Sequence, residues 1–218
     1  MTTRLAVFDC DGTLIDGQAS ICEAMEAAFA ANDLAAPERN AIRRAVGLSL
    51  PQAIRGLLPE REPELHHALA ETYKREFRQA RSEGRIFQPL IPGIVQVLND
   101  LQTNGWLLGV ATGMSDRGLA HCLATHNISN MFVTLQTADR HPSKPHPSML
   151  ETALFEAAAE AGEAVMIGDT AYDMQMATLA GLEGIGVDWG YHEPDELMAA
   201  GAQFVARTPE ELAEYLLK

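Results

Sequence analysis

Asp9 and Asp11 stand one residue apart directly after the short apolar run 5–8, in Leu-Ala-Val-Phe-Asp-Cys-Asp-Gly-Thr. Two acids so close repel each other, and a cation has to offset them; oxygen ligands of this kind favour a hard divalent ion such as Mg2+. A carboxylate beside such an ion can also attack phosphorus to give an aspartyl-phosphate. Taken alone, the stretch reads equally as a strand end and an acidic turn, because Asp-Gly pairs are common in turns. Three later positions carry complementary groups. Thr112 and Gly113 follow the apolar run 107–111, and a hydroxyl next to exposed backbone N–H groups makes an anion cradle. Lys144 lies in His-Pro-Ser-Lys-Pro-His-Pro, where the prolines limit the loop's freedom and hence the entropy lost in holding the ammonium in place. Asp169 follows the run 165–167, and Asp173 lies at i+4 from it, on the same helix face if the first turn has formed.

These positions need particular elements beneath them. A continuous apolar run of strand length suits a strand buried on both faces, as in a parallel sheet with helices above and below. Ligands of such sheets bind beyond the carboxyl ends of the strands, where all these groups fall. Alternation turns Asp9 and Asp11 to one side and Cys10 to the other, where it packs as a small hydrophobe. Residues 17–85 contain no convincing strand. Ile21, Ala24, Met25, Ala28 and Phe29 recur at helix spacing, with an end near Asn32; further helices run from Pro37 to Gly47, from Ser49 to before Pro59, and from Pro63 with a stripe of Leu65, Leu69, Tyr73 and Phe77. Gln-Pro-Leu-Ile-Pro-Gly, 88–93, is a stiff return linker. Thereafter helices are expected at 94–104, 115–126, 148–161, 171–180, near 195–200 and from 209, alternating with strands at 107–111, 132–135, 165–167, 185–187 and 204–205. Such βα alternation specifies an α/β fold, a three-layer, doubly wound parallel sheet. Residues 1–16 and 89–218 are read as the α/β core, and 17–88 as a small α-helical cap with hinge linkers.

At 218 residues, 47% of them hydrophobic, the chain can bury one sizeable core and a small second one. Its net charge of −14, with 30 acidic against 16 basic residues, argues against nucleic acid and anionic membrane as partners, so a bound phosphate must be held by local cations. The three cysteines, Cys10, Cys22 and Cys122, lack the paired spacing of a disulfide or zinc framework and read as free thiols in a reducing compartment. The run before Asp9 is too short for a signal peptide, and no later stretch is long enough to span a bilayer, so a cytoplasmic location is expected. No histidine is assigned to a metal, and Met166, Met174 and Met176 read as core filler. Arg43, Arg44, Arg55, Lys74, Arg75 and Arg78 are cap cations that an anionic substrate could meet, but spacing does not choose among them and most belong to solvated faces.

Residues 9–16, Asp-Cys-Asp-Gly-Thr-Leu-Ile-Asp, resemble motif I of the haloacid dehalogenase superfamily in its phosphatase form. Thr112-Gly113 is similar to motif II, Lys144 to motif III, and Gly-Asp-Thr-Ala-Tyr-Asp at 168–173 to motif IV, in the family's order. The likeness covers the whole chain: the helical insertion resembles the cap of subfamily I, and Gly-Val-Asp-Trp-Gly-Tyr at 186–191 looks like the phosphoglycolate phosphatase branch, although Gly17 stands where that branch often has serine. The resemblance implies a Rossmann-like core with its strands in the order fifth, fourth, first, second, third. It also implies Mg2+-dependent hydrolysis of a small phosphorylated metabolite, phosphoglycolate being the first candidate, by a monomer or homodimer. Asp9 would be the nucleophile and Asp11 the acid and then the base. Mg2+ would be held by Asp9, Asp169 and the carbonyl of Asp11. Phosphate would be bound by Gly12, Thr13, Thr112, Gly113 and Lys144, with Asp173 orienting Lys144 or a metal-bound water and Asp16 steadying the entry to the cap. The alternatives are a phosphosugar mutase, which Gly168 disfavours because those relatives tend to have Glu there, a pyrophosphatase, a metal-free dehalogenase, or a non-catalytic phosphate- or partner-binding protein.

Overall fold

The computed structural model describes residues 3–218. Six parallel strands form one sheet, β1 (Arg4–Phe8), β2 (Trp106–Thr112), β3 (Thr134–Thr137), β4 (Ala164–Gly168), β5 (Glu183–Val187) and β6 (Ala202–Ala206), in the order β3-β2-β1-β4-β5-β6. This is the expected order, extended by β6 beyond β5. Helices α1 (Gln18–Ala30), α2 (Arg39–Arg44), α3 (Leu50–Leu57) and α4 (Pro63–Ser82) make up the insertion after β1. Helices α5 (Ile94–Thr103), α6 (Asp116–Thr125), α7 (Ser148–Ala157), α8 (Ala171–Ala180), α9 (Pro194–Ala199) and α10 (Pro209–Leu216) flank the sheet. Among the described residues no helix is long and apolar enough to cross a membrane.

β1 shows how an unbroken apolar run serves two faces. Leu5 and Val7 pack with Met149 and Leu150 of α7 and Met176 of α8. Ala6, Phe8 and Cys10 point the other way, to Leu98 of α5, Leu119 of α6 and Leu212 of α10. The alternation continues past the strand, so Cys10 is sunk in the core, with its Sγ 3.9 Å from that of Cys122, while Asp9 and Asp11 are presented on the opposite side. The insertion buries a cluster of its own, with Ile21, Met25 and Phe29 of α1 against Ile42, Ile54 and Leu69. It is joined to the sheet by two paired linker segments: the Asp16 N–H donates to the Pro89 carbonyl (2.9 Å) and the Ile91 N–H to Leu14 (2.9 Å).

β5 and β6 each begin two residues earlier than the sequence predicts, and three other elements depart from the expectation. β3 begins two residues later than the apolar pair Phe132-Val133, because level pairing with β2 sets Thr134 opposite Gly109 and Thr137 opposite Thr112. Its inward positions are polar, and each has a partner: Thr134 donates to Glu156 (2.6 Å), Gln136 to Thr134 (2.7 Å) and Thr137 to Asp116 (2.6 Å). α7 stops at Ala157 rather than 161, since Ala158 turns left-handed (φ 51°) and the Ala159 N–H closes back on Leu154 (3.0 Å). That reversal delivers Ala164 beside Leu5 in the sheet. α2 starts at Arg39 instead of Pro37.

Candidate active site

Three central strands end at the same edge; β1 and β4 supply the acids there and β2 a threonine. Asp9 follows β1 with its N–H still bonded to Ile167 of β4 (2.8 Å). It is fully buried; Oδ1 accepts the Cys10 N–H (2.6 Å) and lies 2.9 Å from the Lys144 ammonium, whereas Oδ2 is buried without a partner. Lys144 is itself buried and donates to Asp173 Oδ1 (2.6 Å). Burial opposes the charge on this lysine, but Asp173 and Asp9 outweigh it and hold its pKa above the ordinary lysine range. Burial pushes Asp9 upward against the pull of Lys144. Asp11 is raised to about 6, again by burial and again opposed by Lys144, and its Oδ1 has no partner.

Asp169 ends β4. Its Oδ1 accepts the Thr13 hydroxyl (2.8 Å) and its Oδ2 the Tyr191 N–H (3.0 Å), and burial followed by Asp9 and Asp173 holds it well above the usual carboxylate range. Asp173 does not share a helix face with Asp169, because α8 begins only at Ala171. Thr170 is the N-cap, and Asp173 folds back in a capping box, with Oδ2 accepting the Thr170 N–H (3.1 Å) and hydroxyl (2.6 Å). The box aims Asp173 at Lys144. Oxygens of Asp9, Asp169 and Asp173 lie within 4.8 Å of one another. Among the described residues Lys144, from the loop before α7, is the one cation paired with these acids, so the cluster lacks positive charge, and hard oxygen donors with an unpartnered Asp9 oxygen fit a divalent ion such as Mg2+.

Thr112 closes β2 and is buried, with its Oγ1 accepting the Met114 N–H (3.3 Å); Ser115 caps α6 by accepting from Gly118 (3.1 Å). Gly113 lies under the insertion, where a Cβ would fall 2.5 Å from the Leu48 carbonyl oxygen. Two expected phosphate ligands are engaged elsewhere. Thr13 gives its hydroxyl to Asp169, and the Gly12 N–H bonds the Ile15 carbonyl (2.8 Å), since the turn after β1 has to satisfy its own backbone. Gly12 has a different use: at φ 87° it admits Asp169, whose Oδ2 would lie 2.2 Å from a Cβ there. Asp16 is exposed on the first linker segment and accepts the Gln18 N–H (3.2 Å).

Above the strand ends is a cavity of about 550 Å3, with Asp9, Asp11, Thr112 and Gly113 on its floor and α4 on its wall. Of the cations proposed there from sequence, Arg44 pairs with Glu196 (2.5 Å), Lys74 with Glu71 (2.8 Å) and Arg75 with Glu76 (3.0 Å), and Arg43 donates to Gln18 (3.1 Å). Arg55 is exposed; Arg78 is exposed too, but lines the cavity, and forms no ion pair among the described residues. The loop after β5, which the sequence marks only as a resemblance to one branch of the family, also takes part in the site: the Tyr191 N–H clasps Asp169 and the Trp189 indole donates to the Thr13 carbonyl (3.2 Å). Its signal was Gly190 between two aromatics at another strand end. Sequence reasoning missed Arg81, whose position continues the apolar stripe of α4.

A doubly wound parallel sheet with acids, a hydroxyl and a buried lysine at its carboxyl edge, roofed by an insertion after the first strand, defines a Rossmann-like α/β protein with its polar cluster at the strand ends. The chain belongs to the haloacid dehalogenase-like hydrolase family, whose model matches residues 6–187. It is 36% identical over 225 residues to "Probable phosphatase IndB" of Dickeya dadantii (strain 3937), covering 98% of this chain and 95% of that protein. It is 26% identical to "Phosphoglycolate phosphatase" of Vibrio parahaemolyticus, over 97% of this chain and 95% of that one. A crystal structure of a hydrolase from Pseudomonas syringae superposes with a TM-score of 0.86 at 24% identity, over 98% of both chains, and shares the fold.

Proposed function

We propose that this enzyme is a phosphatase of its family, a phosphoric monoester hydrolase that uses Mg2+ and an aspartyl-phosphate on Asp9, with phosphoglycolate as its first candidate substrate. The observation that carries the reading is the state of Asp9. One of its oxygens is fixed by the Cys10 N–H and Lys144, the other is buried and unpartnered among the described residues, and the residue lines the cavity. A carboxylate so oriented is prepaid in entropy for in-line attack. Relatives named as phosphatases and phosphoglycolate phosphatases support the class and the first candidate.

In this reading Asp9 Oδ2 attacks phosphorus as the ester P–O bond breaks, and the leaving alkoxide takes the proton of Asp11. Asp11, held near 6 by burial, is suited to carry a proton at that stage. Water then attacks the phosphorus of the aspartyl-phosphate and passes a proton back to Asp11, which frees Asp9 and inorganic phosphate. Lys144, the Thr112 hydroxyl and the Gly113 N–H stabilise the phosphoryl oxygens, where charge redistributes in the transition state. Mg2+, held by Asp9, Asp169 and the Asp11 carbonyl, would neutralise the clustered acids and the phosphoryl charge. Asp173, engaged with Lys144 and Thr170, positions the lysine. Residues 17–88 act as a cap that excludes water and selects the substrate, hinged at Asp16 and Pro89.

The test is inorganic phosphate release from a panel of small phosphomonoesters and pyrophosphate, with and without Mg2+, against Asp9→Asn. We expect metal-dependent turnover that falls by about four orders of magnitude or more in the variant. Turnover that survives the substitution would exclude Asp9 as nucleophile. A better rate on pyrophosphate, or phosphoryl exchange between sugars without net release, would move the enzyme to the corresponding alternative.

A further inference from the structure

The cavity holds cations that the hydrolytic reading does not use. The stripe of α4 runs through Leu65, Leu69, Tyr73 and Phe77, and its next position is Arg81. The guanidinium of Arg81 lies over the Phe77 ring, 5.3 Å from its centroid, and Nε is buried without a hydrogen-bond partner. Arg117, in the first turn of α6 after Thr112, lines the same cavity from the sheet side. Among the described residues neither arginine forms an ion pair.

An unpaired, half-buried guanidinium in a protein of net charge −14 needs a reason, since 30 acids were there to cover it. Burial holds Arg81 below its ordinary range, and Arg117 adds to that by repulsion. The acids lining this cavity are Asp9 and Asp11, committed to the floor, and Asp139, which accepts the Asp116 N–H (2.9 Å). Gln88 adds a second buried donor with no partner, its Nε2. Donors without acceptors on one wall are the complement of an anion. An arginine fork suits either a carboxylate or a phosphate.

We infer that Arg81 and Arg117 form a subsite for a second anionic group, so that the substrate is a phosphomonoester also bearing a carboxylate or another phosphate. The inference rests on the phosphatase reading for the placement of the first group over Asp9. One arginine belongs to the insertion and the other to the sheet, so an anion between them offsets their repulsion and draws the two parts together. Substrates without that anion forgo this gain.

The decisive measurement is binding to Asp9→Asn protein with Mg2+, by calorimetry, of phosphoglycolate, ethylene glycol bisphosphate and ethyl phosphate. At least one doubly anionic compound should bind on the order of 10- to 100-fold more tightly than ethyl phosphate, the range for hydrogen bonds to charged groups. Arg81→Gln in the same background should erase the preference, and Arg81→Lys should keep part of it. Which of the two doubly anionic compounds binds better identifies the group. Equal affinity for all three, or an equal loss for all three in Arg81→Gln, would overturn the subsite and leave Arg81 a packing residue on Phe77. Because the comparison is made without a nucleophile, it stands apart from turnover: absence of phosphate release by the wild type would refute the hydrolytic reading and leave the binding result to speak for the arginines.

Discussion

At the strand ends the donors are already engaged, and the atoms left over are acceptors: Lys144 sits between Asp9 and Asp173, Thr13 and Tyr191 hold Asp169, and Thr170 holds Asp173, while Asp9 Oδ2 and Asp11 Oδ1 stay unpartnered among the described residues. On the wall above them, formed by α4 and the return linker, Arg81 Nε and Gln88 Nε2 are buried and have no partner. The two regions face the same cavity, and the difference assigns them different tasks. Groups fixed in advance lower a barrier because they do not reorganise when charge moves. Groups left unsatisfied gain only when a ligand arrives, so they contribute to choice among ligands. In the proposed reading the chemistry belongs to the sheet edge, and the choice of ligand to the unpartnered donors of the wall together with Arg117.

The strongest way to break this contrast is to unmake the engaged side. Lys144→Ala leaves Asp9 and Asp173 buried without their cation, a loss of about 3–5 kcal/mol for a broken buried pair. We expect a melting temperature lower by on the order of 10 °C and a fall in kcat of about a thousandfold, measured in the same preparation. A melting point equal to that of the wild type would mean that the acids are satisfied without the lysine, and the strand ends would then be less finished than they look.

A smaller effect is expected where the regions meet. Gly113 allows the Leu48 carbonyl to approach to within 2.5 Å of where a Cβ would be, and the Ser49 N–H docks on Ser143 (2.8 Å) beside it. In Gly113→Ala the methyl group meets backbone rather than a yielding side chain, so the insertion must stand off the strand ends. A displacement of about 1 Å at a catalytic site costs as much as a hundredfold, and a decrease in kcat/KM of about 10- to 100-fold with unchanged melting is the expected result. An unchanged kcat/KM would show that the insertion need not seat this closely for turnover.

The sequence was read well where local chemistry decides the outcome. The ends of β1, β2 and β4 follow from apolar runs broken by acids or threonine, and α8 from Ala171 to Gly181 follows from its cap and its terminal glycine. It was read poorly where a distant partner decides. The resemblance places Thr13 at the phosphate, but its hydroxyl is committed to Asp169, 156 positions away, and nothing near Thr13 announces this. β3 was misplaced because its buried positions are polar and satisfied by Glu156 and Asp116. Arg81 was passed over for the opposite reason. A charge on an apolar stripe looks like the end of the stripe, whereas here it is the stripe's approach to the cavity.

The least effect is expected from the most conspicuous contact between the insertion and the sheet. Arg44 donates twice to Glu196, at 3.0 and 2.5 Å, but both side chains are about 40% exposed or close to it, at 42% and 36%, so water and salt screen the pair. The backbone does the docking: the Arg44 carbonyl accepts the Tyr172 hydroxyl (3.3 Å) and the His192 ring N–H (3.2 Å), and a substitution leaves both in place. The hydrogen bond from Arg44 holds the Glu196 pKa down to about 2. A depressed carboxylate contributes its stability above the unfolded value and loses it as pH falls through the folded one, so this pair stays constant through the neutral range. Arg44→Gln should therefore lower kcat/KM by less than about twofold, with a pH profile parallel to that of the wild type between about pH 5 and 9. A loss of more than about tenfold would mean that the insertion is held by this ion pair, and the sheet side of the cavity would no longer be the only one built in advance.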